Sequence, residues 1–233
     1  MIELRPFGHL RHATHGGWLD TRYHFSFSDY YDPDRMGWGR LRVWNDDWIG
    51  PHSGFPPHPH RNMEIITFVR SGTLSHKDSM GNIGHTDAGN VQVMSAGNGI
   101  VHAEYNMQDD PETNFQLWIE SDQPGGDPYW ELRQFPQEDR AGHWVSLASG
   151  SPEKDNALPI RADAKVLAAT LKAGERLTYR ADPARHQYLV PNSGRIRINN
   201  IGAETRDGVA ITGENMLTVE ALDHAELVMV DSR

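Results

Sequence analysis

The chain contains no cysteine. Disulfides and thiolate metal sites are therefore excluded, and a reducing compartment is the simplest setting for such a composition. The first eighteen residues lack the apolar core of a secretory signal peptide, and no segment is apolar over the length of a membrane span. We therefore expect a cytoplasmic protein without a membrane partner.

A basic surface is missing as well. The 22 lysines and arginines are outnumbered by 32 aspartates and glutamates, and the formal net charge is −10 at pH 7. Nucleic acid binding depends on basic side chains at the phosphates, so nucleic acid is not expected as a direct partner. The acidity is most simply explained by solubility, and it permits a protein partner without identifying one.

Long amphipathic helical patterns are scarce, and short β-rich runs take their place. Runs such as LRVW, MEIITFV, NVQVM, FQLWIE and AELVMV are separated by glycine, proline, asparagine and aspartate. Many short strands with turn residues between them are typical of sandwiches and barrels. We predict an all-β fold with few short helices.

The two halves of the chain carry similar glycine patterns. Gly72 matches Gly194, and Gly84 matches Gly202, within copies that each read strand, glycine turn, strand, glycine, strand. Unrelated β-hairpins can share such glycines, but the more economical interpretation is an internal duplication. We predict two tandem antiparallel barrels, residues 1–135 and residues 136–233, joined by a linker rich in proline, glycine and charge.

Histidine is concentrated in the first half, where ten of the 13 histidines lie at or before residue 102. His58 and His60 flank a proline in GFPPHPHRNMEIITF, and His102 and Glu104 are spaced in the same way in SAGNGIVHAEYN. Residues i and i+2 of a strand point to one face. In an apolar barrel such polar groups are costly unless they are paired or coordinate a metal. The two pairs therefore predict a metal site.

Two carboxylates compete for the fourth ligand position. Glu64 continues the parity of His58 and His60 if the strand runs on, whereas Glu104 shares the parity of His102. The equivalent positions of the second half, counted from its glycines without gaps, are Arg180, Asp182, Ala221 and Asp223. That half has no histidine of the pattern, and we interpret it as a structural partner without a metal.

These residues resemble the two cupin motifs. The matching positions are Gly54, His58-x-His60, Glu64 and Gly72 in the first motif, and Gly89, Gly97, His102 and Asn106 in the second. The blocks HFSFSDYYDPDRMGWGRLRVWNDD, HPHRNMEIITFVRSG and VQVMSAGNGIVHAEYN resemble the pirin family in particular. The resemblance implies a bicupin that binds one metal in its N-terminal barrel.

In general cupins the glutamate of the first motif is often a ligand, whereas pirins use the one beside the histidine of the second motif. The resemblance therefore implies the ligand set His58, His60, His102 and Glu104, and it moves Glu64 to a supporting position that orients a ligand imidazole. A site with three nitrogens and one oxygen suits Fe(II), which we favour, and also Ni, Cu, Mn, Co or Zn.

Resemblance to bacterial pirins implies quercetin 2,3-dioxygenase activity, in which a flavonol and O2 react, the ring opens and CO is released. Glu104 is then the general base for the 3-hydroxyl proton. Candidates to line the aromatic pocket are Phe25, Phe27, Met36 and Phe55, although each also suits a plain core position.

Two other functions stay open at this point. One is an iron-binding regulator of the pirin type, in which the metal tunes a surface for a protein partner. The other is a relic fold with an adventitious metal. We expect a monomer, because two fused barrels already bury their mutual faces.

The remaining histidines carry less weight. His9, His12 and His15 lack the spacing of a strand clamp, and a structural or solvent role is expected for them. His24 could neighbour the site, whereas His76 has strand spacing without an evident partner.

Overall fold

The computed structural model describes all 233 residues. Twenty-two strands carry nearly all of the regular structure. Those of the first half are β1 Ile2–Arg5, β2 Arg11–His15, β3 Leu19–Tyr23, β4 Leu41–Ile49, β5 Ser53–His60, β6 Met63–Ser71, β7 Thr73–Asp78, β8 Ile83–Asp87, β9 Asn90–Ser95, β10 Ile100–Asn106, β11 Glu112–Glu120 and β12 Tyr129–Gln134. Those of the second half are β13 Val145–Ser149, β14 Leu158–Pro159, β15 Ala164–Leu171, β16 Arg176–Arg180, β17 His186–Ser193, β18 Ile196–Ile198, β19 Ile201–Ala203, β20 Gly208–Thr212, β21 Met216–Ala221 and β22 Ala225–Ser232.

Helical structure is confined to single turns. One α-helical turn, α1, covers Pro152–Asp155, and 3₁₀ turns cover Phe7–His9, Pro33–Arg35 and Glu138–Arg140. None of these helices has the length and apolar character needed to span a membrane.

The predicted all-β duplication is confirmed. Each half consists of a seven-stranded sheet and a four-stranded sheet, in the orders β12-β9-β6-β11-β4-β3-β2 and β5-β10-β7-β8 for the first half. The sheets are separate layers and do not close into continuous barrels. In the first half the chain passes from one sheet to the other at Arg61 and Asn62, which lie between β5 and β6, and Asn62 has φ of 51°.

The first strand does not join the sheets of its own half. β1 pairs antiparallel with β20, and Ile2 lies opposite Ile211. The N-terminal segment therefore completes the seven-stranded sheet of the second half. We keep the division at residues 135 and 136 as a proposal, with β1 assigned to the second half.

The largest core cluster lies between the halves. It contains 24 buried residues, among them Ile66 and Phe68 from β6 and Val166 and Val228 from the second half. A further cluster of 16 apolar residues fills the second half, whereas the other two clusters, in the first half, contain four residues each. The interior of the first half is therefore the region of the protein that is least filled by apolar side chains.

A buried ion triad also joins the halves. The carboxylate of Asp46 accepts from the guanidinium of Arg70 at 2.5 Å and from that of Arg206 at 2.5 Å. The side chain of Asp46 is fully buried, and that of Arg70 is 11% exposed. Since Arg206 follows β19 in the second half, the triad fixes the relative position of the two seven-stranded sheets.

We expect Asp46→Ala to reduce the free energy of unfolding by about 3–5 kcal/mol, because it leaves the buried Arg70 cation without its partner. Urea denaturation followed by tryptophan fluorescence measures this change. Asp223→Ala is the control, because Asp223 forms an exposed ion pair with Arg195, and it should change the free energy of unfolding far less. Equal effects of the two substitutions would contradict this role for the triad.

Candidate metal centre

Three imidazoles converge in the four-stranded sheet of the first half. β5 and β10 are antiparallel neighbours, and His58 lies directly opposite His102 in their register. The ring centroids of His58, His60 and His102 are 4.5 to 4.9 Å apart. One potential ligand atom from each ring lies within 4.8 Å of the other two. The predicted convergence of the two histidine segments is therefore present in the structure.

The free ring nitrogens of these histidines fit a metal. The Nε2 atoms of His60 and His102 are buried and have no hydrogen-bond partner in the chain. The Nδ1 atom of His58 is 2.8 Å from the carbonyl oxygen of Pro56. Since a carbonyl only accepts, Nδ1 carries the proton there and Nε2 of His58 keeps a free lone pair.

Electrostatics also keep two of these rings neutral. The pKa of His60 and the pKa of His102 are both lowered to about 3. Burial is the main cause, and the neighbouring imidazoles lower the pKa values further. A metal binds the neutral imidazole, so near pH 7 these two ligands need not release a proton first.

Glu104 lies beside the imidazoles and is held by two amides. Its carboxylate is almost completely buried. The Nε2 atom of Gln92 donates to Oε1 at 2.7 Å, and the Nε2 atom of Gln116 donates to Oε2 at 2.7 Å. We call this pair of donors the glutamine clamp. Each oxygen accepts one of these bonds and retains a lone pair for another partner.

The clamp belongs to a polar row on the facing sheet. Successive cross-strand partners on its inner face are Tyr23, Asn45, Gln116, Thr67 and Gln92, contributed by β3, β4, β11, β6 and β9. Sequence reasoning missed both glutamines. The sequence signal for them was a glutamine in the middle of each of two otherwise largely apolar strands, Gln92 in NVQVM and Gln116 in NFQLW.

A further histidine, His76, lies behind His102. The Nδ1 atoms of the two rings are 3.4 Å apart, and Nε2 of His76 is 3.0 Å from Oδ2 of Asp78. The ring of His76 also stacks on Trp130 with an interplanar angle of 8°. His76, His102 and Glu104 form a second group whose ligand atoms lie within 4.8 Å of one another. One partner of His76, Asp78, has the i, i+2 spacing of a strand and was missed, whereas His102 lies across the sheet on β10 and could not be found from strand spacing.

Glu64, which the sequence predicts to orient a ligand imidazole, forms no hydrogen bond with one in this structure. Because of the turn at Asn62, Glu64 does not share a face with His58 and His60. It shares a face of β6 with Ile66 and Phe68, which lie in the core between the halves. Oε1 of Glu64 accepts from the hydroxyl of Ser95 at 2.9 Å. Burial raises the pKa of Glu64, and no histidine contacts its carboxyl group.

A cavity of about 500 Å³ opens beside the centre. His58 and Glu104 are part of its wall, as are Phe27 and Phe55 among the predicted pocket residues. Its other aromatic residues are Trp18, Tyr23 and Trp118. The cavity wall therefore combines aromatic side chains with polar ones, two of which, His58 and Glu104, are potential metal ligands.

Two predicted pocket residues do not line this cavity. Phe25 is 1% exposed and packs on Tyr188 in the core between the halves, while Met36 is 40% exposed on the surface. His24 is also placed between the halves, where its Nδ1 is 2.9 Å from the hydroxyl of Tyr188. In contrast, His15 is part of the cavity wall, next to Tyr23.

The fold and this centre define a bicupin with one histidine-rich site. Residues 7–119 match the family profile described as Pirin, and residues 141–232 match the one described as Quercetinase C-terminal cupin domain. The chain belongs to the pirin family.

Individual relatives cover almost the whole chain. A pirin-like protein of Caulobacter vibrioides is 54% identical over 232 residues, which cover 100% of each chain. The quercetin 2,3-dioxygenase of Escherichia coli K12 is 38% identical over 232 residues, covering 99% of this chain and 98% of its own. The structure of bacterial pirin YhhW from Escherichia coli in complex with nickel(II) gives a TM-score of 0.94 at 36% identity, covering 100% of this chain and 99% of that chain.

Replacing both clamp residues with leucine, Gln92→Leu and Gln116→Leu together, should weaken binding of a divalent metal about 10- to 100-fold, because partners behind a ligand orient it. Competition with a chelating dye measures the dissociation constant. Gln187→Leu is the matched control, because Gln187 is a buried amide that donates to Asp231 in the second half. Unchanged affinity in the double variant would contradict the role of the clamp.

Proposed function

We propose that the chain is a metal-dependent quercetin 2,3-dioxygenase, in which His58, His60, His102 and Glu104 bind one divalent metal. The main supporting observation is the set of buried imidazole nitrogens that lack a partner, next to a clamped carboxylate at the end of an aromatic cavity. The names of relatives that cover nearly the whole chain support the same reaction.

The ligand set suits several divalent ions. Three imidazoles and a carboxylate are borderline in softness, so Fe(II), which we favour, and Ni, Cu, Mn, Co and Zn are all compatible. A nickel(II) complex of a related pirin supports a metal of this group. When bound, the metal supplies the Lewis acidity that favours a deprotonated flavonol and the electronic pathway that lets an organic anion react with O2.

Glu104 has the position of a general base. It lines the cavity together with His58, so a 3-hydroxyl group placed at this end can lose its proton to a carboxylate oxygen. Both carboxylate oxygens are held by the glutamine clamp, and the base is therefore oriented before substrate arrives.

Aromatic side chains suit a planar substrate. Trp18 packs edge-to-face on Phe55, with ring centroids 5.1 Å apart, and Phe27 packs edge-to-face on Trp118 at 5.3 Å. Edge-to-face contacts of this kind are favourable for aromatic pairs. These rings give the cavity apolar surfaces against which a planar substrate can pack.

The two glutamates of the first half can be separated by substitution. Glu104→Ala should lower the metal content to below about a tenth of that of the wild type, because a ligand is lost. Glu64→Ala is the matched control and should retain the metal, because its carboxyl group faces the other half of the protein. Elemental analysis of protein purified without chelators measures both. Loss of metal from Glu64→Ala with retention in Glu104→Ala would contradict the assignment.

Metal-loaded protein should consume quercetin in the presence of O2 and release one CO for each molecule cleaved. Loss of the near-ultraviolet absorbance of quercetin and gas-phase detection of CO measure the reaction, and apoprotein is the control. Absence of turnover with Fe, Ni, Cu, Mn and Co would contradict the enzyme assignment. A protein partner captured only in one oxidation state of iron, without turnover, would favour the regulatory function instead.

A further inference from the structure

A second carboxylate, that of Asp47, lies in the wall of the same cavity. Asp47 is 2% exposed, and its Oδ1 atom is buried without a hydrogen-bond partner. It belongs to β4, where residues alternate between the interior of the first half and the core between the halves. Asp46 points to the core side and is satisfied by two arginines, whereas Asp47 lines the cavity.

Asn45 accompanies Asp47 on the same face of β4. Its Oδ1 atom is also buried without a partner, and the residue lines the cavity. In the register of the sheet, Asp47 lies opposite Asn114 on β11 and Asn45 lies opposite Gln116. The wall therefore carries two unused acceptors next to the clamp residue Gln116, which is already bonded to Glu104.

Unsatisfied buried acceptors are costly, and each of these two would gain from a donor supplied by a ligand. The remaining wall is largely aromatic, with Trp18, Phe27, Phe55 and Trp118. A planar aromatic ring fits those side chains, and the hydrogen-bond donor that such a ring most readily carries is a phenolic hydroxyl. The acceptors and the aromatic walls together therefore select for a hydroxylated aromatic ring.

We propose that Asp47, with Asn45 beside it, is a specificity-determining residue that accepts a hydrogen bond from a ring hydroxyl of the substrate other than the one that meets Glu104. For the class of ligand, this inference rests on the proposed function. It predicts discrimination between flavonols by their hydroxyl groups, since a site built to bond a hydroxyl rejects the analogue that lacks it.

Equilibrium binding without O2 tests the inference separately from turnover. Metal-loaded protein is titrated with quercetin and with 3-hydroxyflavone, which has no other ring hydroxyl, and the fluorescence of Trp18 and Trp118 reports binding. Wild-type protein should bind quercetin at least about 10-fold more tightly than 3-hydroxyflavone, the ratio expected for one hydrogen bond to a buried carboxyl group. Asp47→Ala should reduce the ratio to below about 3, with little change in the affinity for 3-hydroxyflavone.

Two further variants and one control accompany this test. Asp47→Leu keeps the approximate volume without hydrogen-bonding capacity and should behave as Asp47→Ala does, while Asp47→Asn keeps an oxygen acceptor and should restore part of the ratio. Glu112→Ala is the matched control, because Glu112 is a buried carboxyl group of the same sheet that does not line the cavity. It should leave the ratio unchanged. Circular dichroism and metal content identify any variant that has not folded.

The outcomes separate this inference from the proposed reaction. A ratio that stays the same in both Asp47→Ala and Asp47→Leu would overturn the inference even if quercetin is cleaved. A ratio that depends on Asp47 in a protein that releases no CO would support the inference and contradict the reaction. A wild-type protein that binds neither flavonol would overturn both.

Discussion

The site depends on the two hydrogen bonds that the glutamine clamp, Gln92 and Gln116, donates to Glu104. They join the two sheets of the first half across their interior, and they orient a buried carboxylate that has no lysine or arginine partner. Two neutral amides stabilise such a charge only in part. The remaining cost can be offset by a cation, and the free nitrogens of His60 and His102 lie where one would be bound. The same carboxylate is thereby available as ligand and as base.

Comparison of the two halves separates the requirements of folding from those of function. Both halves use a seven-stranded and a four-stranded sheet, but sixteen apolar residues fill the second half, while a row of amides and hydroxyls crosses the inner face of the first. The large core between the halves and the Asp46 triad hold the protein together outside the cavity. The first half can therefore keep polar groups in its interior at the expense of its own apolar packing.

Sequence reasoning reached the fold and the histidine convergence because strand alternation and glycine turns are local signals. It failed where parity changes without a sequence signal. The turn at Asn62 directs Glu64 to the opposite side, and Phe25 is directed into the core between the halves. Long-range contacts were also out of reach. The register of β7 and β10 brings His76 next to His102, and the packing of the two sheets face to face brings Gln92 and Gln116 next to Glu104. The exchange of β1 into the second half is a topological choice of the same kind.

Anomalous diffraction from crystals of the metal-loaded protein tests the central claim most directly. Two overlapping groups of ligands exist, His58 with His60 and His102, and His76 with His102 and Glu104. The account predicts one anomalous peak that contacts His58, His60, His102 and Glu104, with Glu104 still bonded to Gln92 and Gln116 and with His76 outside the coordination sphere. A peak bound by His76, or one that leaves Glu104 uncoordinated, would contradict it.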